Sequence, residues 1–174
     1  MSGKLYVPAL QGEFGDWLYY VVLMKLSDIS ERVNYAREIQ ANKKLGDMIQ
    51  RQLEDVSSRR LNRVSNISEY LRSADDRFFN SLVVGVYGGK PHWHPFKVEP
   101  EGADFEPQAM REANREAVGY LEFNGTERLF ALDGQHRLAG IKDAISQASH
   151  LKAERLSVIF VAHSTTTAGL QRTR

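Results

Sequence analysis

The sequence predicts a mixed α/β (α+β) fold, a small mixed sheet flanked by helices, and three observations predict it. Short β-branched and aromatic runs recur at residues 5–10, 17–24, 78–87, 127–132 and 156–162, and Gly, Pro or Asp clusters punctuate them. Between them lie stretches whose apolar residues return at helical spacing. With 174 residues, 42% of them hydrophobic, the chain has enough apolar material to bury one core, so residues 1–174 are read as a single domain.

The first element is a β-hairpin, residues 5–10 and 17–24 folding about Gly12, Gly15 and Asp16. Over residues 28–56 the spacing of Leu45, Met48, Ile49, Leu53 and Val56 predicts one helix or two. A basic segment with Arg59, Arg60 and Arg63 leads into a brief helix over residues 67–71, with Ser65 or Asn66 as its cap. Residues 78–87 read as a buried strand stopped by Gly88, Gly89 and Pro91. The stretch that follows holds four of the five prolines, and residues 99–122 carry seven acidic against two basic side chains. It reads as a surface excursion with one short helix near residues 110–117. Asn124-Gly125 predicts a hairpin joining residues 120–123 to 127–132. Leu138, Ile141, Ile145 and Ala148 share a helical face before the run at 156–162, which completes a β-α-β order. A capped helix then starts in residues 164–174 and stops, so the chain reads as a fragment.

Twenty-three basic residues stand against 22 acidic ones, a formal net charge of +1. That balance excludes a uniformly basic nucleic-acid coat, and any nucleic-acid contact falls to a local patch. The absence of cysteine excludes disulfide scaffolds, thiol nucleophiles, iron–sulfur clusters and Cys-type zinc sites. No redox cofactor is expected, and a reducing compartment fits. Neither a signal-peptide core nor a run of eighteen apolar residues occurs, so the expectation is a cytoplasmic protein without a membrane partner.

The densest chemistry lies in Asp133, Gly134, Gln135, His136 and Arg137, where a strand ends in a Gly turn that opens a helix. A helix N-terminus offers backbone N–H groups and the positive end of the dipole to an anion. Gly134 lets a phosphate approach, and Arg137 is suited to grip its oxygens bidentately. His136 suits phosphate donation or proton transfer, Gln135 the orientation of a water or a base edge, and Asp133 a Mg²⁺ ion or the helix cap. The spacing equally fits Asp133 as a plain N-cap with His136 and Arg137 as solvated first-turn side chains.

The five letters from Asp133 to Arg137 spell the DGQHR signature, and ERLFALDGQHRLAGI resembles the DGQHR-domain proteins. The opening segment VPALQGEFGDWLYYVVLMKLSDISERVNYAREIQANKKLGDMIQR, the segment RFFNSLVVGVYGG and the closing VIFVAHSTTTAGLQRTR resemble the DndB branch, tied to DNA phosphorothioation. More distantly, the strand–turn–helix arrangement is similar to the ParB/sulfiredoxin superfamily. The resemblance implies a ParB/sulfiredoxin-like core and a regulator or accessory factor of a bacterial DNA sulfur-modification system. It implies binding to double-stranded DNA, at a promoter or modification site, and ATP or another nucleoside triphosphate with Mg²⁺ held by the motif. DndB-type proteins are longer than this chain. Two other functions are kept beside that one: a nucleoside triphosphatase using the same turn, for which no Walker A pattern exists, and a scaffold that binds modification enzymes through its acidic 99–122 region.

Other side chains are weighed in the same way. Arg59, Arg60 and Arg63, with Lys43, Lys44 and Arg51 upstream, form a candidate DNA-tracking stripe, and residues 32–77 hold ten basic against seven acidic residues. A solvated helix face explains that excess as well. Arg172 and Arg174 are candidate phosphate contacts in the last segment. His92 and His94 have a metal-like spacing but lack a third ligand, so no metal site is assigned. Trp93 between them is a candidate base-stacking residue. Asp75, Asp76 and Asp104 have no spacing that favours a nuclease centre, and His150 and His163 receive no role.

Overall fold

The computed structural model describes residues 3–15, 17–35, 58–96 and 116–162. In chain order the elements are β1 (Leu5–Phe14), β2 (Trp17–Lys25), α1 (Leu26–Arg32), β3 (Val33–Tyr35), α2 (Ser58–Ser73), β4 (Leu82–Tyr87), β5 (His92–Pro95), β6 (Val118–Phe123), β7 (Arg128–Asp133), α3 (Gln135–Gln147), a 3-10 turn (Ser149–Ala153) and β8 (Arg155–Ala162). The strands form one mixed sheet of eight in the order β3-β7-β4-β8-β2-β1-β6-β5. A mixed α/β fold is therefore present, with a wider sheet than the sequence suggested.

One face of that sheet makes the core. Val7 and Ala9 of β1, Tyr20, Val22 and Met24 of β2, and Val158 and Phe160 of β8 are buried at alternate positions, as a pleat with one covered face requires. Against them pack Leu26 and Ile29 of α1, Leu71 of α2, and Leu138, Ile141 and Ala144 of α3. The two longer helices meet at Gly140, where a Cβ would collide with Ile67. That missing side chain brings α2 down onto α3 and holds α3 against the sheet.

The first hairpin folds as expected, with Phe14 opposite Trp17 at its tip. Other elements depart from the sequence reading. Ser65 and Asn66 lie inside α2 rather than at its start, because the helix begins at Ser58 in the basic segment. Tertiary packing of Ile67 and Leu71 extends it beyond its short apolar pattern. Residues 28–56 contribute α1 and β3, and the remainder of that stretch lies outside the described residues. Residues 92–95 form a strand instead of a loop, paired to β6 through His92↔Glu122 and His94↔Tyr120.

The expected hairpin between β6 and β7 does not form. β6 pairs with β1 and β5, and β7 pairs with β3 and β4. Asn124 and Gly125 still turn the chain: Asn124 Oδ1 accepts from Thr126 N–H at 3.0 Å, Glu127 accepts from Gly125 N–H at 2.9 Å, and Gly125 has φ +89°. The turn chemistry is local, and strand pairing is decided by which edge buries the apolar face. The strand–helix–strand order after residue 128 is present too. However, β4 separates β7 from β8, antiparallel to the first and parallel to the second, so the unit is no parallel β-α-β. β7 accordingly lies next to the edge strand β3, not at the centre of the sheet.

Candidate functional site

β7 carries the motif to one end of the sheet. Its pairing with β4 slips by one residue: Ala131 stands opposite Val84, yet Asp133 stands opposite Val83, leaving Leu132 as the extra residue of a bulge. Bulges re-aim the side chains that follow them. Here the slip places Asp133 in register, with its side chain 55% exposed. Gly134 is next, in the left-handed region at φ +86° and ψ 23°, and is the N-cap of α3. A Cβ on Gly134 would also sit 2.5 Å from Leu82 Cδ2 and 3.1 Å from Arg137 Nε and Nη2. Glycine is required here both by the backbone and by the lack of space.

Arg137 is anchored within the fold. Nη1 donates to the carbonyl of Asn80 at 2.7 Å and to that of Ser81 at 3.0 Å, and Nη2 donates to Asp133 Oδ2 at 2.9 Å. Two of its five N–H donors thus tie the start of α3 to the residues that lead into β4, and a third ties it to the end of β7. Ser81 Oγ in turn lies 2.6 Å from Ser157 Oγ, which carries the linkage to β8. Asp133 does not cap α3, contrary to one sequence reading, because its carboxylate is drawn to Arg137. The helix begins with no side-chain cap and no acidic residue in its first turn. Gln135 is buried and its Oε1 accepts no hydrogen bond among the described residues, while His136 is half-buried. The five motif residues are thus brought together, and Asn80, Ser81 and Ser157 join them. No sequence signal marks the first two, since they act through main-chain carbonyls that any residue supplies.

The candidate DNA residues are less assembled. Arg63 is exposed on α2, and Arg59 and Arg60 lie in the first turn of that helix. Arg172, Arg174, Lys43, Lys44, Arg51, Asp104 and His163 lie outside the described residues. Asp75 and Asp76 are exposed at the bend after α2, and His150 is exposed in the 3-10 turn. Among the described residues no group of three or more His, Asp or Glu side chains is placed to hold a metal ion.

β5 carries a second polar cluster. His94 Nε2 lies 2.7 Å from Glu122 Oε2, and Lys4 Nζ donates to Glu122 Oε1 at 2.8 Å. The hydrogen bonds from Lys4 and His94 hold the Glu122 carboxyl down at about 2, and the same Lys4–Glu122 bond raises Lys4. Trp93 turns the other way. Its ring packs 5.3 Å from Tyr20 on the core side, which removes it as a base-stacking residue.

The comparisons with known proteins agree with this chain-long pattern. Residues 7–174 match the family model of DndB, described as DNA-sulfur modification-associated, and the chain belongs to that family. No curated protein and no solved structure matches it. Membership implies involvement in a DNA sulfur-modification system. No described helix is long and apolar enough to cross a membrane.

Proposed function

We propose that this protein is a DNA-binding regulator or accessory factor of its sulfur-modification system, and that the 133–137 turn receives the phosphate of a nucleotide with Mg²⁺. One observation carries the proposal: α3 starts at a left-handed glycine with neither a side-chain cap nor a first-turn acid, while the adjacent Asp133 is turned aside by Arg137. An open helix N-terminus beside a fixed guanidinium suits an anion. Among the described residues two donors of Arg137 are left, Nε and one on Nη2, and both nitrogens lie close over Gly134. Asp133, half-exposed, suits the metal that accompanies the phosphates. DNA is the expected partner because of the family's system, and Arg63 with the α2 segment is its candidate contact.

A thermal-shift series with ATP, CTP, GTP and Mg²⁺ tests the phosphate half of the reading. A nucleotide at free concentration L that binds the native state stabilises it by RT ln(1 + L/Kd), so Tm climbs with the logarithm of concentration above Kd. His136→Ala should remove most of that rise, measured against the variant's own Tm without nucleotide, and no rise with any nucleotide would overturn the assignment. Phosphate release in the same samples separates a triphosphatase from a protein that only binds. Gel shifts on promoter DNA over a salt series test the DNA half, where affinity must fall steeply with salt if phosphates are contacted.

A further inference from the structure

The face of the sheet opposite the core holds an unusual pair. Lys25 of β2 and Arg155 of β8 are direct cross-strand partners. Both are exposed, and their neighbours Met24 and Leu156 turn toward the core, so both cations lie on the outer face. Neither has an ion-pair partner among the described residues. Like charges directly opposite each other weaken a sheet, unless an anion sits between them.

Their surroundings name the anion. On β1, the next strand beyond β2, Tyr6 is half-exposed and alternates with buried Val7, which puts its ring on the same outer face. Its partner on β6 is Glu122, tied to Lys4 and His94, and the Tyr6 and His94 rings are 6.0 Å apart. One register step further, Tyr120 meets Phe96 edge-on at 5.0 Å, with Phe96 45% exposed. In the other direction Ser157 of β8 is joined to Ser81, whose carbonyl holds Arg137. The unpaired cations therefore lie between an aromatic shelf and the 133–137 turn, all at one end of one sheet.

We propose that a single nucleic-acid strand lies across this outer face, its phosphates on Lys25 and Arg155 and its bases on Tyr6 and the rings beyond it. Strands about 4.8 Å apart set cations and rings in adjacent rows, as a strand with phosphates along its backbone and bases projecting to one side requires. Exposed rings beside a row of cations can stack on the faces of unpaired bases, which a duplex keeps covered by its own stacking. A protein partner would have to desolvate two like charges at the middle of its interface, at a cost that an anionic strand avoids. This goes beyond the duplex-binding reading and does not need a nucleotide at the turn.

Fluorescence anisotropy of the intact chain with labelled oligonucleotides of about 20 residues tests it, with single-stranded DNA, single-stranded RNA and the matching DNA duplex as three arms. Both single strands should bind more tightly than the duplex, and the difference between them tells which is the natural source. Tyr6→Ala should weaken single-strand binding about tenfold and Tyr6→Phe should retain it, with the fold of each variant checked by its own Tm. Lys25→Gln with Arg155→Gln should lower the slope of log affinity against log salt by about 1.4, two phosphates' worth for a single strand. Tighter binding to the duplex, affinity unchanged in Tyr6→Ala, or an unchanged salt slope would each overturn the proposal. Duplex binding that these variants leave intact would leave the regulator reading standing while this one fails. Single-strand binding without duplex binding would do the reverse.

Discussion

Arg137 Nη2 donates to Asp133 Oδ2 at 2.9 Å, an ion pair that spans the junction from strand to helix and replaces the helix cap that Asp133 would otherwise supply. The same guanidinium holds the carbonyls of Asn80 and Ser81. Two letters of the motif thus have a structural duty, locking β7, α3 and the start of β4 together, which any phosphate bound there would inherit as a preset geometry.

That duty has a measurable cost when removed. Arg137 is only 20% exposed, and its loss leaves two main-chain carbonyls and a carboxylate without their donor. Arg137→Ala should destabilise the fold by about 1.5–3 kcal/mol, the range for hydrogen bonds to a charged group. Lysine has one point charge where the site uses two nitrogens, so Arg137→Lys should recover less than half of the loss. Urea unfolding with an unchanged m-value reads both numbers.

Gly134→Ala should be costly for two separable reasons. Its φ of +86° penalises a Cβ by about 1–2 kcal/mol, and the 2.5 Å approach of Leu82 Cδ2 adds a steric cost. In a Leu82→Ala background the Leu82 part of the steric cost disappears while the backbone part stays. A double-mutant cycle should therefore give a coupling of about 1 kcal/mol or more, and full additivity would mean that Leu82 does not crowd the turn.

Glu122 predicts a pH dependence. Its carboxyl is lowered from 4.5 to about 2 in the folded protein, first by the Lys4 hydrogen bond and then by that of His94. A depressed carboxyl pKa stabilises the fold above the unfolded value, and the contribution is lost as pH falls from about 4.5 through about 2. Stability should decline across that window in the wild type. Glu122→Gln should flatten the decline across that window, as followed by thermal unfolding in a pH series.

The sequence makes the motif and the first hairpin legible because both are local. Gly134 and Arg137 lie within one turn of each other, and the apolar alternation of residues 17–24 specifies a pleated face wherever it pairs. Pairing across the sheet is not local. Asn124-Gly125 announces a reversal correctly, yet the strands on either side of it go to β1, β5, β3 and β4 rather than to each other. Two of Arg137's three acceptors lie 56 and 57 residues away and are main-chain atoms, so no residue type advertises them. Lys25 and Arg155 become neighbours only through the β2–β8 register. The metal-like spacing of His92 and His94 belongs to an edge strand in which both side chains share one face by pleating alone.

The close crossing of α2 on α3 gives the sharpest test of the packing. Gly140 is inside α3, where glycine costs about 1 kcal/mol relative to alanine, so propensity alone predicts that Gly140→Ala stabilises the protein. The geometry predicts the opposite sign. A Cβ there would run into Ile67, so α2 must move away, and overpacking of this kind costs about 1–3 kcal/mol. Ile67 is partly buried against the core, and Ile67→Ala should by itself destabilise the fold through lost packing. In that background the obstruction is gone and only the propensity term remains. Gly140→Ala should therefore destabilise the wild type and stabilise Ile67→Ala, the second by about 1 kcal/mol. Chemical unfolding of the four proteins reads the sign change directly, and stabilisation in both backgrounds would mean that the helices do not touch at Gly140.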